Sequence, residues 1–287
     1  MSSSSSSREG KAVLITGGRS GIGRALAEGL RKHGYTTIVT VRREVDVTTL
    51  KEEAGIHAVV LDVTNDSHVE PAVEALTALL KEGNLKLTGV IANAGINPEG
   101  DAILDADKRG APRPQELSDP AIATAVFATN VVGVARTARA FLPLLRESGE
   151  GRLLIVGSYF GSMAGSLGSG HLYYEASKHA LEGLSDGLRR AEARRGVKVS
   201  LVKPGNISTN MNPLYGEDGT DIVVAACRHA LGHATPRHRY HVGRVLGKSV
   251  WLICFLFDML PSWVGDRLIG KPRTERRASL TSASVPS

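Results

Sequence analysis

The sequence predicts one α/β domain, a doubly wound parallel sheet with helices on both of its faces. The chain has 287 residues, 42% of them hydrophobic, and 32 glycines, and a chain of this length can bury a substantial core. Six short apolar runs alternate with helical stretches, which is the rhythm of βαβ units in a parallel sheet. Ligands bind such sheets outside the carboxyl ends of the strands, so residues that follow the apolar runs are the candidates for function.

The apolar runs, in chain order, are residues 12–15, 36–41, 58–61, 90–92, 153–156 and 197–202. The stretch after the first run predicts an amphipathic helix with one face toward the sheet. Its apolar face consists of Ile22, Ala25, Leu26, Gly29 and Leu30. We divide the chain into a disordered serine-rich tail (1–10), the Rossmann-type domain (11–245), an apolar helical extension of that domain (246–270), and a basic, serine-rich disordered tail (271–287).

The formal net charge of +6 raises the question of a nucleic-acid partner. The positive charge is diffuse apart from clusters at 189–195 and 271–277, and neither cluster is interleaved with aromatic residues. Surfaces that bind nucleic acid combine clustered cations with aromatic side chains on which bases stack. We therefore expect no nucleic-acid partner and interpret both clusters as solvated surface.

The cysteines and the N-terminus bear on the cellular compartment. Cys227 and Cys254 each lie inside an apolar helical pattern, which is typical of buried free thiols in a reducing compartment and predicts neither a disulfide nor a metal site. Met1 and the six serines after it lack the apolar core of a signal peptide. We expect a cytoplasmic protein without a transmembrane helix. Residues 250–260 are apolar but short and contain Asp258, so peripheral membrane contact stays open.

A glycine-rich turn separates the first apolar run from the amphipathic helix. Glycines let the backbone turn tightly and approach a pyrophosphate, whose charge is met by free amides at the helix N-terminus. Strand, turn and helix in this order predict a dinucleotide-binding site. The turn consists of Thr16, Gly17, Gly18, Arg19, Ser20, Gly21, Ile22 and Gly23.

Tyr174 and Lys178 lie four residues apart in a strongly helical stretch, so both project from one helix face. At an effective dielectric of about 20, an ammonium roughly 4 to 5 Å away stabilises a phenolate by about 3 to 4 kcal/mol. We therefore expect Lys178 to lower the pKa of Tyr174 toward the working range of an acid/base catalyst. Taken alone, the spacing also fits a solvated lysine beside a half-buried tyrosine.

With T-G-x-x-x-G-x-G in the turn and Y-x-x-x-K downstream, the chain resembles the short-chain dehydrogenase/reductase family from about residue 11 to 244. Further landmarks of the family occur in order: Asp62 after the third run, Asn93, Ala94 and Gly95 after the fourth, Asn130 in a long helix, Ser158 after the fifth run, and Pro204 and Gly205 after the sixth. Each of them taken singly has an ordinary explanation as a loop cap or turn residue. Their joint order and spacing favour the family.

The resemblance implies a catalytic set and a cofactor-binding set. The catalytic residues are Asn130, Ser158, Tyr174 and Lys178. The cofactor-binding residues are Thr16, Gly17, Arg19, Ser20, Gly21, Ile22, Gly23, Arg42, Asp62, Val63, Asn93, Ala94, Gly95, Tyr174, Lys178, Pro204, Gly205, Ile207 and Thr209.

The resemblance also implies a role for each catalytic residue. Tyr174 exchanges a proton with the substrate oxygen, Lys178 lowers the pKa of Tyr174 and binds the nicotinamide ribose, and Ser158 donates to the substrate carbonyl. Asn130 holds a water that links Lys178 to solvent. Thr209 meets the nicotinamide carboxamide.

The end of the second apolar run bears on the choice between NAD and NADP. Relatives that use NAD carry an acid where Val41 stands here, and it accepts hydrogen bonds from the ribose hydroxyls. Arg42 and Arg43 instead offer guanidinium groups suited to a 2′-phosphate, and Arg19 could add another cation. The sequence therefore predicts NADP(H), although either arginine could also be plain surface.

Two departures from the family pattern are visible. Ser158 lies sixteen residues before Tyr174, where about thirteen is usual in the family, so Ser162 is a minor competitor for the serine role. Only eleven residues separate Thr209 from a helix expected near Asp221, which leaves little chain for a substrate lid.

The resemblance is greatest to the 17β-hydroxysteroid and retinol dehydrogenase branch, over residues 177–188, 196–200, 229–231 and 239–243. It implies an NADP(H)-dependent oxidoreductase that interconverts an alcohol and a ketone or aldehyde on a lipophilic, steroid-, retinoid- or fatty-type substrate. A catalytically quiet NADPH sensor or scaffold with the same fold is the alternative, and homo-oligomer formation stays open.

Overall fold

The computed structural model describes residues 8–100, 119–163, 171–209, 211 and 216–259. Seven parallel strands form one sheet in the order β3-β2-β1-β4-β5-β6-β7. They are β1 (Lys11–Ile15), β2 (Thr36–Val41), β3 (His57–Val60), β4 (Lys86–Ala92), β5 (Arg152–Val156), β6 (Lys198–Pro204) and β7 (Arg239–Val242). The helices are α1 (Gly21–Lys32), α2 (Glu44–Ala54), α3 (Val69–Glu82), α4 (Pro120–Phe127), α5 (Gly133–Glu147), α6 (Leu172–Glu192), α7 (Asp221–Gly232) and α8 (Val250–Met259).

The doubly wound parallel fold is confirmed, and each of the six apolar runs lies wholly or mostly within a strand. The seventh strand, β7, is not among the apolar runs of the sequence. β7 alternates half-buried and buried residues, with Arg239 and His241 on the more exposed positions, so it contains no apolar run. The strand order reverses direction between β1 and β4, and in open α/β sheets a ligand crevice forms at such a point.

Two apolar cores, one on each face of the sheet, hold the layers together. Along β1, Ala12 and Leu14 face the first core, while Val13 and Ile15 face the second. Helices α3, α5 and α6 complete the first core, and α1, α2 and α7 complete the second. Successive strand residues point to opposite faces, so a strand covered on both sides reads as a continuous apolar run.

Helices α4 and α5 form one continuous helical stretch, because a single π turn (Ala128–Val132) joins them. Within the described part of the chain, the stretch Pro120–Glu147 is the one helix long and apolar enough to cross a membrane by length and composition. Core helices of globular domains pass the same test. Val134, Phe141 and Leu145 are buried in the first core, which identifies the α5 portion as part of the domain.

A short hairpin leads from β7 into α8. Its strands are β8 (Arg244–Val245) and β9 (Lys248–Ser249), and both main-chain amides of the turn, at Leu246 and Gly247, donate to the Glu217 carboxylate. Helix α8 begins immediately after β9 and packs on the segment that follows β5. The hairpin thus fixes where the C-terminal helix leaves the sheet.

Candidate active site

The glycine turn lies between β1 and α1 at the carboxyl edge of the sheet. Gly17 and Gly21 have φ of +70° and +55°, in the region that favours glycine. A Cβ on Gly18 would lie 2.3 Å from the Val39 side chain, and one on Gly23 would lie 2.2 Å from the Gly17 carbonyl oxygen. The turn is therefore packed too closely for any side chain at these positions.

The N-terminus of α1 is suited to an anion. Ser20 is its N-cap, with an extended backbone and no side-chain capping bond, and the first turn holds no acidic residue. Ile22 in that turn packs on the second core. First-turn amides that lack a capping side chain are the groups that bind a pyrophosphate. The site thus fits the negatively charged part of a dinucleotide.

Hydrogen bonds connect the glycine turn to the end of β4. The Thr16 hydroxyl accepts from the amides of Asn93 and Ala94, at 2.9 and 3.0 Å, and the Asn93 side chain donates to the Thr16 carbonyl oxygen. A Cβ on Gly95 would lie 3.2 Å from Oδ1 of Asn130. These predicted residues therefore form one continuous wall of the crevice.

Three arginines lie near the end of β2. Arg19 and Arg43 both pair with Asp46 in the first turn of α2, with Nε–Oδ1 and Nη2–Oδ1 distances of 3.1 and 2.9 Å. Hydrogen bonds from Arg43 and then Arg19 lower the pKa of Asp46 to about 2, although its partial burial opposes the shift. Both guanidinium groups are thereby held in place.

Arg42 differs from its neighbour. It is exposed, and among the described residues it makes no ion pair or hydrogen bond. Burial alone would raise the pKa of Asp62, but hydrogen bonds from Thr64 and the charge of Arg42 lower it overall. Arg42 is therefore the arginine at this edge whose guanidinium group is available to a ligand.

The predicted pair is assembled on α6. Nζ of Lys178 lies 5.3 Å from the Tyr174 ring centroid and donates to the Val156 carbonyl oxygen at 3.1 Å. The Tyr174 hydroxyl shares a hydrogen bond with Ser158. Ser158 is the second residue after β5, and Gly157 separates it from the strand. Phe160 meets the Tyr174 ring edge-on, with 6.1 Å between centroids. Serine, tyrosine and lysine are thus within one small, mostly buried space.

From the sequence we expect a lowered pKa for Tyr174, and for the protein without cofactor this prediction is wrong. Burial raises the pKa of Tyr174 to about 12, and its hydrogen bond with Ser158 offsets only part of that rise. Burial also lowers the pKa of Lys178 to about 8. Desolvation disfavours the charged form of each group, and it is the largest cause of both shifts. Tyr174 is therefore a protonated acid at neutral pH.

Asn130 lies in the π turn and is buried. Its Oδ1 accepts from the Ile96 amide at 2.8 Å, and its Nδ2 donates to the Ile96 carbonyl oxygen and to the Ser177 hydroxyl. That hydroxyl in turn donates to the Tyr174 carbonyl oxygen at 2.6 Å. The asparagine therefore connects the β4 segment to α6, and its Oδ1 keeps one acceptor position.

Ser162 is occupied elsewhere. Its hydroxyl accepts from Lys203 at 2.5 Å and lies 3.2 Å from the Asp258 carboxylate of α8. Lys203, itself 1% exposed, also pairs with Glu182 at 2.6 Å. Ser158, which bonds to Tyr174, is therefore the better candidate for the serine role.

The other predicted cofactor residues lie along the same crevice. A Cβ on Gly21 would lie 3.8 Å from Thr209, and the buried Ile207 forms a β-bridge with Asp218. Gly205 follows the end of β6 at Pro204, with 2.4 Å between its would-be Cβ and the Arg244 carbonyl oxygen. Val63 is buried in the first core.

Sequence reasoning missed Asp46 and Glu99. Asp46 follows the β2 arginines by three and four residues, which is helical pairing distance and a signal that could have been used. Glu99 is 4% exposed and accepts from the amides of Tyr173 and Tyr174, 74 and 75 residues away. No local pattern points to such a contact.

Comparison with known proteins gives the family. Residues 11–219 match the family model of short chain dehydrogenases. The chain is 30% identical over 276 residues to the uncharacterized oxidoreductase YbbO of Escherichia coli (strain K12), which covers 90% of this chain and 94% of that protein. It is 30% identical over 212 residues to the 3-oxoacyl-(acyl-carrier-protein) reductase FabG of the same strain, covering 73% of this chain and 79% of that one.

Solved structures agree. A short chain dehydrogenase from Burkholderia cenocepacia J2315, determined in complex with NADP, has a TM-score of 0.72 and 26% identity, covering 92% of this chain and 99% of that one. A short-chain dehydrogenase from Streptomyces avermitilis has a TM-score of 0.66 and 25% identity, with 96% of each chain covered. The chain therefore belongs to the short-chain dehydrogenase family of oxidoreductases.

Proposed function

We propose that the protein is an NADP(H)-dependent oxidoreductase that interconverts an alcohol and a ketone or aldehyde on a lipophilic substrate. The observation that carries the proposal is the complete set of Asn130, Ser158, Tyr174 and Lys178. Ser158 and Lys178 lie beside the half-buried Tyr174 side chain, and Asn130 reaches the Tyr174 backbone through Ser177. A catalytically quiet NADPH sensor or scaffold would have no need to retain all four groups. That alternative predicts NADPH binding without turnover.

The crevice fits a dinucleotide with a 2′-phosphate. The glycine turn and the amides that begin α1 suit a pyrophosphate, and Asp62 and Val63 follow β3 on the adenosine side. We assign the 2′-phosphate to Arg42. Arg19 is the second cation, because it contacts Asp46 through Nε while its side chain stays 50% exposed. The similar structure that is 26% identical was determined in complex with NADP, which supports this assignment.

A nicotinamide held in this crevice would supply or take up the hydride. Tyr174 donates its proton to the carbonyl oxygen during reduction and takes it back during oxidation. Ser158 donates a hydrogen bond to the same oxygen as negative charge develops. The protonated state of Tyr174 at neutral pH suits the reduction direction.

Lys178 and Asn130 serve the proton path. The Lys178 ammonium binds the nicotinamide ribose and stabilises Tyr174 when its proton leaves. Asn130 uses its remaining Oδ1 acceptor position to hold a water that connects Lys178 to solvent. Thr209, beside Gly21, meets the carboxamide.

The substrate class rests on the apolar surroundings of Tyr174. Tyr159, Phe160 and Met163 follow Ser158 and pack against the inner face of α8, which includes Val250 and Cys254. We propose that α8 closes the lipophilic end of the substrate pocket. It would thereby take over part of the role of the shortened segment between Thr209 and α7.

The outer face of α8 supports peripheral membrane contact. Trp251, Leu252, Phe255, Leu256 and Met259 are each between 37% and 68% exposed. Trp251 and Phe255 stack with 5.4 Å between ring centroids, and residues 271–277 beyond the helix are basic. Exposed aromatic residues with nearby cations favour anionic lipid. We propose a cytoplasmic protein with loose membrane attachment, and homo-oligomer formation stays open.

Replacement of Tyr174 by phenylalanine tests the proposal. Tyr174→Phe removes only the phenolic oxygen, so turnover of steroid, retinoid or aliphatic ketones should fall by about 10² to 10⁴. NADPH affinity, measured by nicotinamide fluorescence, should stay unchanged. Lys178→Met should lower both turnover and NADPH affinity. Tyr173→Phe is the control, and a greater loss there would show that the wrong tyrosine has been assigned.

A further inference from the structure

Helix α6 is held at its N-terminus by a carboxylate from a distant part of the chain. Glu99 is 4% exposed, and its Oε2 accepts from the main-chain amides of Tyr173 and Tyr174, both at 3.0 Å. These are the second and third residues of the helix, whose amides have no partner within it. A negative charge at this end also interacts favourably with the helix dipole. Glu99 therefore acts as a cap on the turn that carries Tyr174.

Glu99 belongs to a segment that contacts the glycine turn, Asn130 and the helix that carries Tyr174. This bracing segment, residues 93–100, begins with the amides of Asn93 and Ala94 on the Thr16 hydroxyl of the glycine turn. Its middle is fixed by two hydrogen bonds between Ile96 and Asn130. Its last part reaches α6 at Glu99. One short segment thus spans from the cofactor crevice to the helix that carries Tyr174.

The end of the bracing segment is tightly built. Asn97 Oδ1 accepts from the Gly100 amide at 3.1 Å, and its Nδ2 lies 3.3 Å from Nδ1 of His171, the N-cap of α6. A Cβ on Gly100 would lie 2.3 Å from the Asn97 Nδ2 atom. The backbone beside Glu99 therefore has little room to move.

We propose that Glu99 is a positioning residue for the acid/base chemistry, fixing the height and rotation of Tyr174 relative to the cofactor bound by the glycine turn. This inference rests on the proposed function. Glu99 contacts the backbone of Tyr174, so it acts through that residue. The cap is a small part of the stability of the whole domain, but a displacement of a reacting group by about 1 Å can lower turnover by about 10²-fold. Loss of Glu99 should therefore affect turnover far more than cofactor binding.

The test compares Glu99→Ala and Glu99→Gln with Asp119→Ala. Asp119 is a matched control, because its carboxylate caps α4 by accepting from the Ala121 amide at 2.7 Å. We expect Glu99→Ala to lower kcat by about 10- to 100-fold, with NADPH affinity within about twofold of the unaltered protein. Glu99→Gln keeps one acceptor oxygen without the charge and should lose only a few-fold. Asp119→Ala should leave kcat unchanged.

A second readout does not depend on turnover. Hydrogen–deuterium exchange of a peptide covering residues 171–178 should become faster in Glu99→Ala, and that peptide should be unaffected in Asp119→Ala. If exchange changes as expected but neither the unaltered protein nor any variant turns over a substrate, the proposed function fails while the cap itself stands.

Three results would overturn the inference. The first is an unchanged kcat in Glu99→Ala. The second is a loss of NADPH affinity as large as the loss of kcat, which would place Glu99 in cofactor binding. The third concerns Glu99→Gln and applies if Glu99→Ala does not fold. A kcat of Glu99→Gln equal to that of the unaltered protein would then contradict a positioning role.

Discussion

At the scale of single residues, burial decides the charge states of the candidate site. Lys178 is a buried lysine whose ammonium donates to the carbonyl oxygen of Val156 and, among the residues that the structure describes, pairs with no carboxylate. Lys203 is equally buried, but it pairs with Glu182 at 2.6 Å. Taking an ammonium out of water is costly unless an anion compensates. The two lysines should therefore affect stability in opposite directions.

We predict that Lys178→Met stabilises the protein without cofactor. The lysine pKa is about 8 in the fold against 10.5 for the free group, so the charged form costs the folded state about 3 kcal/mol at pH 7. Methionine keeps most of the packing but loses one hydrogen bond, which leaves a net gain of about 1 to 3 kcal/mol. The gain should shrink as pH rises from about 8 to 10.5, because the folded protein then no longer holds the proton.

Urea unfolding at pH 7 and pH 9.5 checks this prediction. Lys203→Met is the control and should destabilise the protein, because it removes one of the two cations, Lys203 and Arg239, that pair with the Glu182 carboxylate, which is only 19% exposed. A loss of stability in both variants would mean that burial of the Lys178 ammonium does not destabilise the folded protein.

A second prediction at this scale concerns the arginines at the end of β2. Arg42 is available to a ligand, whereas Arg43 makes two hydrogen bonds to Asp46. A charge-assisted contact to phosphate contributes about 1.5 to 3 kcal/mol, or roughly tenfold or more in affinity. Arg42→Gln should therefore weaken NADPH binding by about that factor, and Arg42→Asp should reverse the preference toward NADH.

Nicotinamide fluorescence titrations with NADPH and NADH provide the measurement. Arg43→Gln is the matched change and should weaken NADPH binding less than Arg42→Gln. If the unaltered protein binds both cofactors equally, the assignment of the 2′-phosphate to Arg42 is wrong.

At the scale of elements, α8 presents two different apolar faces. The sequence suggested a helix that is apolar all round, and such a helix must be buried, bound to a membrane or covering a substrate. In the fold, Val250 and Cys254 are buried against Tyr159 and Met163, while Trp251 and Phe255 are exposed. One helix could therefore serve the pocket with its inner face and a lipid surface with its outer face.

We predict that the two roles of α8 can be separated. Truncation after Gly247 should raise the KM for bulky hydrophobic substrates and reduce flotation with anionic liposomes, with NADPH affinity nearly intact. A Trp251→Gln/Phe255→Gln double variant should reduce flotation and leave KM unchanged, because both side chains are about half exposed. Unchanged flotation in both variants rules out the lipid role. Unfolding of the truncated chain would instead indicate simple core packing.

At the scale of the whole molecule, the sequence predicted the layers and the crevice well. A strand buried on both faces is rich in apolar and β-branched residues, so β2, which consists of Thr, Ile and Val, could be predicted to the residue. The glycine turn could be located because positions packed this closely admit only glycine. β7 has more exposed alternate positions, and for that reason it was missed. The family resemblance is confirmed by the matches of this chain to short-chain dehydrogenases.

The features that the sequence could not predict arise from contacts between residues that are far apart along the chain. The pKa of Tyr174 is set by the depth of its burial, which spacing along a helix does not reveal. The Glu99 cap joins residues 75 positions apart, and a glutamate after a loop glycine and proline gives no local signal of burial. The roles assigned to the site residues stay predictions until the variants described above are measured.

The alkylation rate of Cys254 can report how often the structure around this residue opens. A thiol reacts with an alkylating reagent only when it is exposed, so its labelling rate reports the opening of the structure around it. Cys254 lies on the buried face of α8, packed with Tyr159 and Met163, and Cys227 lies in the second core on α7. Burial raises the pKa of both thiols, that of Cys227 to about 12. Both should therefore be slow to react while the fold is closed.

The two thiols should nevertheless be labelled at different rates in native buffer. Cys254 should react first, because lifting one terminal helix disrupts fewer contacts than opening the domain core that holds Cys227. Mass spectrometry of quenched samples would separate the two rates without any introduced probe. Equal rates would mean that α8 detaches only when the whole domain unfolds, and that substrate entry cannot depend on its movement.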